Sequence, residues 1–355
     1  MNEEYLIVAG GTGGHVSPAI AVYEELVAQH KKLKFITDER CVKYFKHTDI
    51  QPVIINIRPF TKSLIGVYKF AASLYLALFK LIWLLINNKN LRTIIVFGGY
   101  PCLPAILAGS ILGRKIVVHE QNAVMGRMNR FAAIFAKEIW LGFQDTKLVP
   151  KNAIHKTKYI GVPVRKQILN VEISNNSNNK QFTILIVGGS QGASAFAEII
   201  PTTIKSLENT TKKIIIYQQC RDEEEKEKLE EFYRTYKITA QIEIYFYNIE
   251  QKMAAADIVI ARSGASTISE LIALEKPSIL IPLPSSMDDH QYYNALTLAE
   301  QKAAILLNQN EAKASLANCL NRLVGNPEEL LEIKQSLQKI KLANLVGIRE
   351  VLKSI

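Results

Sequence analysis

Short apolar runs alternate with helical patterns along nearly the whole chain. Runs such as Tyr5-Leu6-Ile7-Val8-Ala9 and Phe182-Thr183-Ile184-Leu185-Ile186-Val187 are continuous rather than alternating, as in strands buried on both faces. They predict strands at 5–9, 33–37, 53–57, 93–97, 115–118 and 137–141, then at 182–187, 213–217, 242–246, 257–260, 278–281 and 303–307. Strand–helix alternation of this kind predicts an α/β fold with parallel sheets covered on both faces. The polar stretch Glu172 to Gln181 reads as a surface loop, and from about Asn326 onward the pattern is helical. Linker chemistry at Gly161-Val162-Pro163 divides the chain into expected domains at 1–161 and 162–340. A last helix near 341–355 is expected to pack back on the first domain.

Two of these strands end in glycine turns followed by helical patterns. They are Gly10-Gly11-Thr12-Gly13-Gly14-His15 and Gly188-Gly189-Ser190-Gln191-Gly192. Glycines let a backbone approach a phosphate, and the next helix offers N–H groups and a partial positive charge. Neither turn is a standard nucleotide loop. Val16 breaks the dinucleotide fingerprint, and His15-Val16 stand where a Walker A loop needs Lys and Ser or Thr. Two such units predict two Rossmann-like halves facing a cleft that holds a large phosphorylated ligand.

One segment departs from the alternation. Leu64 to Ile86 is mostly apolar and long enough to span a bilayer, yet it contains Lys69 and Lys80. At 100° per residue, Arg58, Lys62, Lys69, Lys80 and Asn87 fall within about 40° of one another. A basic stripe opposite a broad apolar face describes an interfacial helix; a core helix with a solvated stripe and a true span are the alternatives.

With 355 residues the chain has room for two ordinary cores. Its 43 basic and 33 acidic residues give a net charge of +10, which suits an anionic membrane or a polyphosphate ligand. Nucleic acid is not expected, because no aromatic–basic RNA motif or zinc-finger spacing accompanies that charge. Cys41, Cys102, Cys220 and Cys319 are far apart and form no C-x-x-C pair, so a reduced compartment is expected. No signal peptide is read before the first strand.

Further motifs give the chain a resemblance. Gly10 to Ala19, Phe97-Gly98-Gly99-Tyr100-Pro101 and Gly188 to Ala193 resemble the three glycine loops of the MurG family. His119-Glu120-Gln121-Asn122, Gly161-Val162-Pro163-Val164-Arg165, Arg262 to Glu270 and Asp289 to Ala295 are similar to further signatures of that family. The resemblance runs from residue 5 to about 300, in the family's order and spacing. It implies a GT-B type α/β fold, two Rossmann-like doubly wound parallel-sheet domains facing a deep cleft. It further implies an inverting N-acetylglucosaminyltransferase of cell-wall synthesis. The donor would be UDP-GlcNAc, held by the C-terminal half. The acceptor would be undecaprenyl-pyrophosphoryl-MurNAc-pentapeptide, held by the N-terminal half. The enzyme would sit peripherally on the cytoplasmic face of the inner membrane, against anionic lipid and other cell-wall synthesis proteins, with no metal or cofactor.

Candidate site residues come from both sources. Ser263 is expected to cap the helix after strand 257–260, with the N–H groups of 264–266 facing an anion. By resemblance that anion is the donor diphosphate, met by Ala265, Ser266 and Thr267 and, on the other side, by Ser190, Gln191 and Gly192. The resemblance also gives Glu270 to the ribose hydroxyls, Gln291 to the donor sugar, the Phe246 backbone to uracil and Arg165 to the interdomain hinge. Thr12, Gly13 and Gly14 would meet the acceptor. His15 starts a helix, where the dipole favours neutral imidazole, and is either the general base or a phosphate ligand. His119 and Glu120 are further catalytic candidates, and Asn122 would orient the sugar or acceptor. Asp288-Asp289 reads as a solvated pair rather than a metal site.

Rival readings remain. Asp38, ending the second strand, sits where a ribose-binding acid of a nicotinamide oxidoreductase would fall. Within the same fold stand a UDP-GlcNAc epimerase and a glycolipid synthase, and outside enzymes a nucleotide-sugar sensor.

Overall fold

A computed structural model describes residues 3–46, 48–172, 180–207 and 212–353; the side chains of 189–193, 345–351 and 353 fall outside that description. The chain forms two compact units, Met1–Lys166 with Asn344–Ile355, and Gln167–Ala343.

The first unit is a parallel sheet of β1 (Glu4–Ala9), β2 (Lys32–Thr37), β3 (Val53–Ile54), β4 (Leu91–Gly98), β5 (Lys115–Glu120), β6 (Glu138–Leu141) and β7 (Thr157–Tyr159). Their order is β3-β2-β1-β4-β5-β6-β7. Helices α1 (Gly13–Ala28), α2 (Leu64–Asn87), α3 (Cys102–Ile111) and α4 (Arg127–Phe135) connect them. Continuous apolar strands feed two cores. Leu6 and Val8 face one, Tyr5, Ile7 and Ala9 the other. That is why these strands read as unbroken apolar runs.

A short helix α5 (Lys166–Leu169) crosses the boundary. The second unit is a parallel sheet of β8 (Gln181–Val187), β9 (Lys213–Gln219), β10 (Thr239–Glu243), β11 (Ile258–Ala261), β12 (Ser278–Leu280) and β13 (Ile305–Leu306), in the order β10-β9-β8-β11-β12-β13. Its helices are α6 (Gly189–Lys205), α7 (Glu223–Thr235), α8 (Ile249–Ala255), α9 (Ala265–Ala273), α10 (His290–Glu300), α11 (Gln309–Gly325) and α12 (Pro327–Lys353). The last of these starts in the second unit and ends in the first, where Leu352 is buried beside Tyr5, Ile7, Trp140 and Ile160.

In each sheet the strand order reverses once, between β1 and β4 and between β8 and β11. At such a switch point the loops leaving the two strands diverge and open a crevice at the strands' carboxyl ends. Each glycine turn lies there.

Helix α2 corrects one expectation. Its apolar residues do not form a single face opposite the lysines. Ala77, Leu81 and Leu85 are buried in the core, while Leu64, Ile65, Tyr68, Tyr75, Leu76, Phe79, Trp83 and Ile86 are exposed. At about 100° per residue these eight span an arc of roughly 120°, with exposed Val67 outside it in the first turn. Lys69 and Lys80 lie on one border between that arc and the buried ridge. The Lys80 ammonium donates to the Ile54 carbonyl at 3.3 Å.

Candidate active site

The turn after β1 and the turn after β4 interlock. Gly10 N–H donates to Gly98 O at 3.1 Å. Gly99 has φ +88°, and a Cβ there would lie 2.3 Å from the Gly10 carbonyl oxygen. Only glycine permits both the backbone angle and the approach. Gly98, at φ +117°, has His15 Nε2 just above it, 2.9 Å from where a Cβ would stand.

His15 is oriented by the same turn. Its Nδ1 lies 2.8 Å from Gly10 O. A carbonyl only accepts, so Nδ1 carries the proton, and in the neutral ring Nε2 holds the lone pair. Thr12 is the N-cap of α1, with an exposed side chain that makes no capping bond. Gly13 and Gly14 form the first turn of the helix, which contains no acid. No acid of its own first turn cancels the partial positive charge at the start of α1.

The His119–Asn122 stretch, at the end of β5, divides by burial. The His119 ring is fully buried, lies against Phe97 with centroids 5.0 Å apart, and places Nε2 3.4 Å from Gly161 O. Burial pushes its pKa down to about 4, so it is neutral and inside. Glu120 is also fully buried. One carboxylate oxygen accepts from Asn122 N at 2.9 Å and Asn122 Nδ2 at 3.1 Å; the other accepts from Gly126 N and Asn129 Nδ2, both at 2.8 Å. His119 and Glu120, the further catalytic candidates, thus have no exposed surface. Both are walled off, and Glu120 is the clamp that sets the half-buried Asn122. Arg165 is half-buried, one residue before Lys166, where the first unit breaks off.

In the second unit the turn after β11 differs from expectation in its cap. Gly264, not Ser263, is the N-cap of α9, without a side-chain bond. Ser263 is pulled inside: it is fully buried and its carbonyl accepts from Asn294 Nδ2 at 3.1 Å. Ala265 is buried, whereas Ser266, Thr267 and Glu270 are half-buried on the first turns of α9. That first turn also lacks an acid. By contrast α7 opens with Glu223, Glu224 and Glu225 behind an Asp222 cap, the usual way a solvated helix neutralises its end.

Arg262 braces this turn. Its Nη1 donates to the carbonyls of Ile281 at 3.0 Å and Pro282 at 3.1 Å, Nη2 donates to Gln309 Oε1 at 2.7 Å, and the guanidinium lies 4.7 Å from the Phe196 ring centroid of α6. Gln291 accepts from Leu283 N at 3.0 Å through Oε1, which leaves its NH2 to donate elsewhere. Asp288 and Asp289 are exposed at φ of 52° and 53°. Phe246 is buried between exposed Tyr245 and Tyr247, so only its backbone is available to a ligand. After β8 the chain enters α6 through Gly188. The side chains of Ser190 and Gln191, and the burial of Gly192, lie outside the described residues.

Sequence reasoning missed the wall of the first turn. The helical segment Glu39–Phe45 follows β2 and lays Tyr44 against Gly13, its ring 2.9 Å from a Cβ position there. Asp38 is buried and occupied: Oδ2 accepts from Gly11 N at 2.8 Å and from Arg40 Nη2 at 2.7 Å. It is not presented to a ribose. That removes the main support for a nicotinamide oxidoreductase.

Comparison with known proteins agrees with this geometry. Residues 5–141 match the glycosyltransferase family 28 N-terminal domain, and residues 183–346 the family 28 C-terminal domain. The UDP-N-acetylglucosamine–N-acetylmuramyl-(pentapeptide) pyrophosphoryl-undecaprenol N-acetylglucosamine transferase of Rickettsia felis is 38% identical over 364 residues, covering 99% of each chain. The crystal structure of Acinetobacter baumannii MurG superposes with a TM-score of 0.77 at 26% identity, covering 99% of each chain. A UDP-N-acetylglucosamine 2-epimerase homologue from Listeria monocytogenes reaches a TM-score of 0.69 at 13% identity, over 99% of this chain and 95% of that one. At that identity the likeness is one of fold alone. Two parallel-sheet units of GT-B type, glycine turns at both switch points and full-length relatives converge: the chain belongs to glycosyltransferase family 28, in its MurG group.

Proposed function

We propose that this enzyme transfers N-acetylglucosamine from UDP-N-acetylglucosamine to the 4-hydroxyl of a lipid-pyrophosphoryl-MurNAc-pentapeptide. The carrying observation is the pair of acid-free helix starts, α1 and α9, set behind glycine-bearing turns at the two switch points. The second unit would hold the donor. Its diphosphate lies at the start of α9, against Ala265, Ser266 and Thr267, and against Ser190, Gln191 and Gly192 of α6. Glu270 takes the ribose hydroxyls, the Phe246 backbone meets uracil, and the Gln291 NH2 reads a sugar hydroxyl.

The first unit would hold the acceptor diphosphate at Thr12, Gly13 and Gly14. Its sugar hydroxyl attacks the anomeric carbon as the bond to UDP breaks, giving the β linkage. The proton passes to His15 Nε2, the ring nitrogen that the Gly10 contact does not use. Charge growing on the departing diphosphate is met by the helix starts, an effect worth roughly 10²–10³ in rate per donor group. Asn122, set by Glu120, orients the acceptor, and Arg165 steadies the ligand near the unit boundary.

The exposed strip of α2 supports peripheral attachment to an anionic leaflet. The helix is long and apolar enough to cross a membrane, but its other ridge is locked into the core, so it would lie on the bilayer rather than through it. The function is tested by measuring UDP release from UDP-N-acetylglucosamine with and without a prenyl-pyrophosphoryl-MurNAc-peptide. Release is expected only with the acceptor. Release at full rate without it would point to epimerase chemistry.

A further inference from the structure

The segment Glu39–Phe45 contributes nothing to the roles assigned above, yet it touches the first glycine turn twice. Tyr44 stands against Gly13, and four residues earlier Arg40 stands beside Gly11. The Arg40 Nη2 is 4.0 Å, and His15 Nδ1 3.8 Å, from the point a Gly11 Cβ would occupy. The guanidinium and the imidazole therefore converge on one spot of the turn.

The arginine is held as a fork. Asp38 accepts from Arg40 Nη2 at 2.7 Å and from Nε at 3.3 Å. The carboxylate is enclosed, its side chain 5% exposed, while the Arg40 side chain is 54% exposed. The same carboxylate accepts from Gly11 N, so the turn, the acid and the arginine are fixed together. A guanidinium has five N–H groups, and Asp38 uses two of them. The other three belong to a side chain that is 54% exposed and lies beside Gly11. A clasp for the turn needs only the Asp38–Gly11 bond. A guanidinium fixed on one edge and partly exposed can still offer paired N–H groups to phosphate oxygens.

We propose that Arg40 grips the diphosphate of the lipid-linked acceptor beside the first glycine turn and thereby discriminates diphosphate from monophosphate acceptors. The inference rests on the reading that the first unit takes that acceptor. Arg40 is a positioning residue for the attacking hydroxyl, since it holds the phosphates next to His15.

The test compares wild type, Arg40→Gln and the double variant Asp38→Asn/Arg40→Gln on two acceptors that share one MurNAc-peptide, linked through diphosphate or monophosphate. The double variant removes the carboxylate that Arg40→Gln leaves buried without its cation, and is read in place of the single variant if that one folds poorly. Inorganic pyrophosphate is added as a competitor of the acceptor at saturating donor. The KM for the diphosphate acceptor is expected to rise on the order of 10- to 100-fold, the range of a lost charge-assisted hydrogen bond. The monophosphate acceptor should change less, the donor KM should hold, and pyrophosphate inhibition should weaken in parallel. An unchanged acceptor KM overturns the proposal. So does an equal rise for both acceptors with pyrophosphate inhibition intact, which would make Arg40 a clasp only. A wild-type enzyme that glycosylates neither acceptor instead overturns the reading of function, whatever Arg40 does.

Discussion

Lys276 lies between α9 and β12 with its ammonium buried, donating to the Ala256 carbonyl at 3.0 Å. Burial pushes its pKa down to about 8, against the partial opposition of Asp257. In the unfolded chain the group titrates near 10.4. Between those values the unfolded state binds more protons, so stability rises as pH climbs from about 8 to about 10.5. Below pH 8 the folded state carries the full penalty of the buried charge, on the order of 3 kcal/mol. Lys276→Met is expected to raise stability at pH 7 and to flatten that rise. Denaturant midpoints at pH 7, 9 and 10.5 check it, and parallel profiles for the two proteins would refute it. His15 carries a second expectation at this scale. His15→Gln keeps a polar group at Gly10 but no base, so kcat should fall roughly 10²- to 10⁴-fold with the donor KM retained. A kcat near wild type would exclude the proton-accepting role.

The elements show which physics a sequence displays and which it hides. Strands buried on both faces announce themselves, because nothing polar interrupts them: β1, β4, β5 and β8 begin and end close to their apolar runs. The run near 242–246 misled, since Ile244, Tyr245 and Tyr247 have strand-like chemistry but are exposed, and β10 ends at Glu243. β7 was missed because its three residues at the sheet edge carry no apolar pattern. At the site, glycine turns were legible as backbone requirements. The enclosure of Glu120 and the clasp of Arg40 by Asp38 were not, because both depend on which donors the tertiary fold brings near. α2 is the sharpest case. Periodicity located its faces but not what covers each one. Leu76, Phe79 and Trp83 are about two-thirds exposed. Changing all three to Ser should change stability by no more than about 0.5 kcal/mol per position. Each residue withdrawn from lipid forfeits up to about 1.5–3 kcal/mol, so affinity for anionic vesicles should fall more than tenfold. Sedimentation with vesicles measures this, and unchanged binding would place the membrane contact elsewhere.

At the scale of the whole molecule, both units wind their sheets from the middle outward and place a helix start at the one reversal of strand order. Their boundary is less simple than their likeness, because α12 belongs to both. Leu352 fills the core that Tyr5 and Ile7 begin. The order of synthesis gives this a consequence. At roughly 5–20 residues per second, the ribosome completes Lys166 about 10–40 s before it reaches Leu352. Throughout that interval the first sheet has every strand it will ever own, but one socket in its core stands open. The apolar strip of α2 is already displayed to chaperones and to any nearby bilayer. The part of the protein made first is therefore the part finished last, and nascent chains stalled anywhere in the second unit should expose it.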